Sequence, residues 1–167
     1  MTEHEMMAEA LFRRGYNCAQ AVFTAFCDVT GMDRDTALRI SSSFGGGMGR
    51  MREVCGAVSA MFMVAGMLYG YTDPKSHDKA RHYERIRELA DSFRCENGSI
   101  ICRELLSASG ENVTAGGDPS PRTREYYKKR PCAEYVKLCA RILDEYIGKN
   151  PVMSDKEDAR ADVARAT

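Results

Sequence analysis

The chain contains no tryptophan, few histidines (three), few prolines (five) and no net charge. Lys and Arg together number 24, as do Asp and Glu, so no global field draws it to nucleic acid or to an anionic membrane. A nucleic-acid role would need a local basic patch. The one candidate is Arg122, Arg124, Lys128, Lys129 and Arg130, and the expectation is that nucleic acid is not a partner. His4, His77 and His82 fall on polar segments that read as solvated, and none is expected as a ligand. No segment alternates with period two, which argues against a sheet. There is no CxxC pair, so thioredoxin-type motifs and zinc knuckles are excluded. HExxH, a Walker lysine and GxSxG are missing as well. The opening MTEHEMMAEALFRR is an acidic amphipathic helix rather than a basic segment followed by an apolar run, so a cytoplasmic location is expected.

Cysteine is what the chain has in quantity. Cys18, Cys27, Cys55, Cys95, Cys102, Cys132 and Cys139 make seven. An odd count and a reducing compartment both argue against a structural disulfide framework. Each sulfur is then core filler, metal ligand or redox group. Residues 54–72 carry no charge, close to the length that spans a bilayer. Cys55, Gly56, Ser59, Gly66 and Gly70 interrupt that stretch, however, and Leu, Ile, Val and Phe are sparse in it. A buried helix at the centre of a bundle fits better, and stable membrane insertion is not expected.

The periodicity is helical almost throughout. Thr2 and Glu5 form a capping box for a first helix ending at Gly15. Asn17 caps a second, with Cys18, Ala21, Val22, Ala25, Phe26 and Val29 inward and Gly31 as its stop. Asp33 caps a third, with Ala37, Leu38, Ile40 and Ser41 at helical spacing. A glycine-rich turn, Phe44-Gly45-Gly46-Gly47-Met48-Gly49-Arg50, leads into the uncharged helix from about Arg52 or Glu53 to Gly70. Asp73-Pro74 precedes a helix with Ala80, Tyr83, Ile86, Leu89, Ala90 and Phe93 as its stripe, broken at Asn97-Gly98. Ser99 caps a short helix, residues 107–121 read as loop, and Pro131 opens a last helix with Cys132, Tyr135, Val136, Cys139, Ile142, Leu143 and Tyr146 inward. The expected fold is all-α, a single-domain helical bundle of about five to seven helices around a central apolar helix. It occupies residues 1–150, with 151–167 a flexible or weakly docked tail.

On this map Cys18, Cys55, Cys102 and Cys132 each fall in the first turn of a helix, where unpaired N–H groups and the helix dipole favour thiolate over thiol. Thiol pKa values there drop from about 8.5 to roughly 3.5–7.5. Arg50 and Arg52 flank Cys55, which makes Cys55 the expected most reactive sulfur. Cys27 and Cys139 read as small core hydrophobes; Cys95 is ambiguous. Gly45, Gly46, Gly47 and Gly49, with Arg50, are the candidate ligand- or cofactor-contacting loop, because glycine lets backbone approach a ligand or a neighbouring helix closely. The methionines at 48, 51, 61, 63 and 67 read as packing rather than as copper ligands.

Gly15-Tyr16-Asn17-Cys18-Ala19-Gln20, the glycine turn, and Cys55-Gly56-Ala57 resemble the C-GCAxxG-C-C family, which is marked by four cysteines and a CGAxxG motif. The similarity runs from about residue 5 to 146. The resemblance implies a redox role carried by Cys18, Cys55, Cys102 and Cys132, and a transporter-associated partner. The last motif glycine is Ala60 here, a methyl that would restrict helix packing or ligand access. Three functions are open. The first is thiol–disulfide exchange or electron transfer with a redox partner, in which Cys55 attacks and one of the other three resolves. The second is zinc or an iron–sulfur cluster on the four cysteines. The third is a non-catalytic adaptor for a transporter or enzyme.

Overall fold

The computed structural model describes residues 1–152, and among them it contains nine helices and no strand. These are α1 (Glu3–Arg13), α2 (Cys18–Ala25), α3 (Cys27–Thr30), α4 (Arg34–Ser42), α5 (Gly56–Tyr69), α6 (Asp78–Asn97), α7 (Cys102–Ala108), α8 (Arg124–Lys129) and α9 (Cys132–Lys149). The all-α class is as expected. The count exceeds five to seven for two local reasons. Phe26 leaves helical geometry (φ −102°, ψ 20°) and splits the second helix into α2 and α3. Phe26 is thereby turned fully inward under the His4 ring, 4.1 Å between centroids, while Val29, expected inside, is exposed. The second extra element, α8, holds Arg124, Lys128 and Lys129 of the candidate basic patch, to which no helix was assigned. Most of the expected 151–167 tail lies outside the described residues.

The caps explain most of the boundaries. Thr2 with Glu5 and Asn17 with Gln20 form reciprocal capping boxes, and Asp33 accepts from the Thr36 N–H. Each such cap stabilises by about 1 kcal/mol. Gly31 and Gly98 end α3 and α6 in left-handed conformation. The expected cap at Ser99 is displaced: Ile101 precedes α7, and Ser99 Oγ accepts from the Ile101 N–H.

In the core, α2 packs against α1, α3, α4, α5 and α9, while α5 packs against α2, α3, α6 and α9. The middle of the bundle thus belongs to α2 as much as to the uncharged α5. Phe12, Phe23, Phe26, Phe93, Leu11 and Met61 are among its largest fully buried side chains, each worth about 1.5–3 kcal/mol of burial. The uncharged stretch forms only a 14-residue helix, and no helix among the described residues is long and apolar enough to cross a membrane.

Candidate functional site

Three cysteines open their helices: Cys18 in α2, Cys102 in α7 and Cys132 in α9. Cys55 sits one place earlier than a first-turn residue, as the cap of α5. All four line one cavity of about 320 Å³. Residues far apart in sequence are therefore brought together, as the first-turn alignment led one to expect.

Backbone pairing fixes two of the four. The Cys55 N–H donates to Ile100 O (2.8 Å), the Cys102 N–H to Glu53 O (2.6 Å), and the Arg103 N–H to Arg52 O (3.1 Å). Val54 and Ile101 form the antiparallel bridge between these rungs. The glycine turn closes the other side. From Gly46 to Arg50 every residue has φ between 58° and 72°, and Arg52 adds a further left-handed residue at 64°. Such a run is rare because each L-residue in it costs about 1–2 kcal/mol; here Met48, Arg50 and Arg52 bear that cost. The gain is proximity. A Cβ on Gly45 would sit 2.6 Å from the Asn17 side chain, one on Gly47 2.6 Å from Cys102 Cβ, and one on Gly56 2.6 Å from Phe44 O. Gly45, Gly46, Gly49 and Arg50 line the cavity, whereas Gly47 lies behind Cys102.

The electrostatics differ from the expectation that Cys55 is the most acidic sulfur. Burial pushes the Cys55 thiol up, and the neighbouring Cys18 and Cys102 push it further; the Ala57 and Val58 amides oppose this without prevailing. Arg52 is no help to it, since its Nη1 lies 3.9 Å from Cys102 Sγ and its Nε donates to Thr114 O. Cys102 also stays up, because burial outweighs Arg52. Cys18 is the sulfur that goes down, to about 6: its interaction with Cys132 is the main cause, opposed by burial and assisted by the Gly46 N–H, Arg122 and its own N–H. Cys132 moves the opposite way, raised by that same interaction and by burial. The pairing therefore favours thiolate at Cys18 over Cys132. First-turn placement was a sound guide to where the thiols gather and a poor one to which of them ionises, because desolvation is invisible in a helix map.

Four arginines line the cavity: Arg50, Arg52, Arg122 and Arg130. The last two were read as part of an exposed basic patch. Instead Arg122 stacks between Phe12 and Tyr126, 4.6 Å from each ring centre, and Arg130 lies 4.9 Å from Tyr126. Arg122 and Arg130 lie on either side of α8, so no helical periodicity tied them to Tyr126. Burial, with Cys132 close by, pushes Tyr126 up to about 12, so it faces the cavity as a neutral phenol.

The other sulfurs stand apart from the cavity lining. Cys139 is fully buried, Cys27 half-buried and Cys95 exposed. All seven cysteines are free thiols. Among the described residues no three His, Cys, Asp or Glu side chains are grouped to hold a metal ion. The zinc or iron–sulfur reading thus has no ready ligand set. Ala60 is fully buried in the core and does not line the cavity, so the departure from the motif glycine leaves the site untouched. His4 is not solvated: Nδ1 is 2.5 Å from Asp144 and Nε2 3.1 Å from Asp28.

A family model described as "Putative redox-active protein (C_GCAxxG_C_C)" matches residues 16–146. No curated protein and no solved structure matches the chain. The match spans the four cysteines, the glycine turn and Cys55-Gly56-Ala57, and the chain belongs to the C_GCAxxG_C_C family.

Proposed function

We propose that the protein carries out thiol–disulfide exchange, with Cys18 as the attacking thiolate and Cys132 as the resolving thiol. The observation that carries this reading is that Cys18 and Cys132, at the openings of α2 and α9, line one cavity, with the Cys18 thiol lowered and the Cys132 thiol raised by their interaction. A thiol of pKa near 6 is largely thiolate at neutral pH, and the thiolate is the nucleophile. Cys132 lines the same cavity and is the thiol that attacks the mixed disulfide. Cys55 and Cys102, both held protonated, line the wall of the same cavity as Cys18 and serve as neutral polar surface or as secondary electron reserve.

The test is the pH profile of alkylation, cysteine by cysteine, on anaerobically reduced protein. Cys18 should remain reactive down to about pH 6, while Cys132→Ala should move its profile up toward the ordinary value of about 8.5. Mild oxidation should yield a Cys18–Cys132 disulfide by peptide mapping. An ordinary thiol profile at Cys18 in the unaltered protein overturns the assignment. Stoichiometric zinc or iron in the same preparation would transfer the site to the metal reading, and full function with all four cysteines replaced would transfer it to the adaptor reading.

A further inference from the structure

The cavity holds more positive charge than its thiols need. Among the described residues Arg130 pairs with Glu111 (3.2 Å), but none of Arg50, Arg52 and Arg122 has a carboxylate within salt-bridge reach. Arg52 is 5% exposed. The Nη1 of Arg122 is buried with no hydrogen-bond acceptor, although its Nη2 reaches Tyr16 O at 3.5 Å. A buried guanidinium with an idle donor is costly unless an anion meets it. No Asp or Glu appears in the cavity lining, and the volume is of the order that encloses a small organic ligand, roughly 300 Å³ and upward. The planar guanidinium fork is suited to carboxylate.

We propose that the cavity is a binding site for a small disulfide bearing carboxylates, held by Arg52 and Arg122 with Arg50 at the mouth, so that its sulfur lies against Cys18. This rests on the exchange reading above and adds the substrate class to it. Cys18 Sγ attacks one sulfur of the substrate; a new S–S bond forms, the substrate S–S bond breaks, and its electron pair leaves on a thiolate. That thiolate takes the proton from Cys132. Cys132 Sγ then attacks Cys18 Sγ, and the second half of the substrate departs as thiolate. Two electrons have passed from the cysteine pair to the substrate, which ends as one thiol and one thiolate, and the protein keeps a Cys18–Cys132 disulfide. The guanidiniums hold the carboxylates throughout and stabilise each departing thiolate.

The test compares three disulfides of similar size in single turnovers with reduced protein: dithiodiglycolate (anionic), 2-hydroxyethyl disulfide (neutral) and cystamine (cationic). Charge complementarity of this kind changes encounter rates by about 10–10³-fold. The anionic probe should therefore react at least about tenfold faster than the neutral one and faster still than cystamine, with the advantage shrinking as salt is raised. Arg122→Gln should lose most of that preference, read as the ratio of the anionic to the neutral rate, in which any change in Cys18 acidity cancels. Arg122→Lys, which keeps the charge, should restore part of it and guards against a mere folding defect. Equal rates for the three probes with Cys18 still reactive overturn the anion site and leave the exchange reading standing. Failure of all three probes to oxidise Cys18 overturns both.

Discussion

Replacing Gly47 with alanine tests whether the glycine turn sets the positions of the cysteines. Gly47 sits at φ +72°, and a Cβ there would lie 2.6 Å from Cys102 Cβ and 3.0 Å from both Arg52 Cα and Glu53 N. Two costs add. Holding an L-residue left-handed takes about 1–2 kcal/mol, and forcing a methyl into an occupied site takes about 1–3 kcal/mol. The neighbours have little room to yield, because two of them are backbone atoms and Cys102 is tied to Glu53 O through its own N–H. The sum, about 2–5 kcal/mol, is a large share of the roughly 5–15 kcal/mol that stabilises an ordinary domain. Gly49 provides the control. Its φ is +58°, but the nearest atom to a Cβ there is Ser43 O at 3.9 Å, so only the conformational cost applies, about 1–2 kcal/mol. Urea unfolding of the reduced proteins, followed by far-UV circular dichroism, should place Gly47→Ala below Gly49→Ala by about 1–3 kcal/mol at unchanged m value. In thermal unfolding that gap corresponds to about 2–12 °C for a chain of this size. Equal losses for the two variants would refute the packing argument and leave backbone strain as the whole effect.

Asn17→Ala removes the capping box of α2 and the Asn17 Nδ2 donation to Ser42 O. It should cost about 1–2 kcal/mol in the same unfolding assay, and a loss near zero would mean that the cap is redundant. His4 predicts a pH dependence. Burial opposes its charge, but the hydrogen bonds and attraction of Asp144 and Asp28 together win, and its pKa is raised above 6.5. The folded chain then binds the proton more tightly than the unfolded one, so this stabilisation is complete below pH 6.5 and is lost as the pH climbs through the raised value. Thermal melts from about pH 6 to about pH 8 should show the parent chain losing stability relative to His4→Gln. Parallel curves would remove His4 from the account.

How much of this was legible in the sequence depended on the range of the interaction. The capping box at Thr2, the cap at Asn17 and the stops at Gly31 and Gly98 are local, and they stand where the residue pattern put them. The break at Phe26 was hidden because helical periodicity continues through it; the reason to turn there is the His4 ring from another helix. The short α8 offers one turn and a half and no buried residue, too little for periodicity to register. The gathering of four cysteines was visible because helix starts are readable and helix N-termini favour thiolate. The ordering of the thiol acidities was not, because it turns on which sulfur interacts with Cys132 and on desolvation at Cys55. The arginines were misassigned for a related reason: a charge run looks solvated until an aromatic sandwich such as Phe12–Arg122–Tyr126 is seen to bury it.

The pairing of Cys18 with the opening of α9 also ties the acidity of that sulfur to tertiary structure. Cys132 and Arg122, two of the groups that lower its pKa, lie more than a hundred residues later in the chain, so only the assembled bundle brings them to it. Loosening α9 from α2 would return Cys18 toward an ordinary, sluggish thiol.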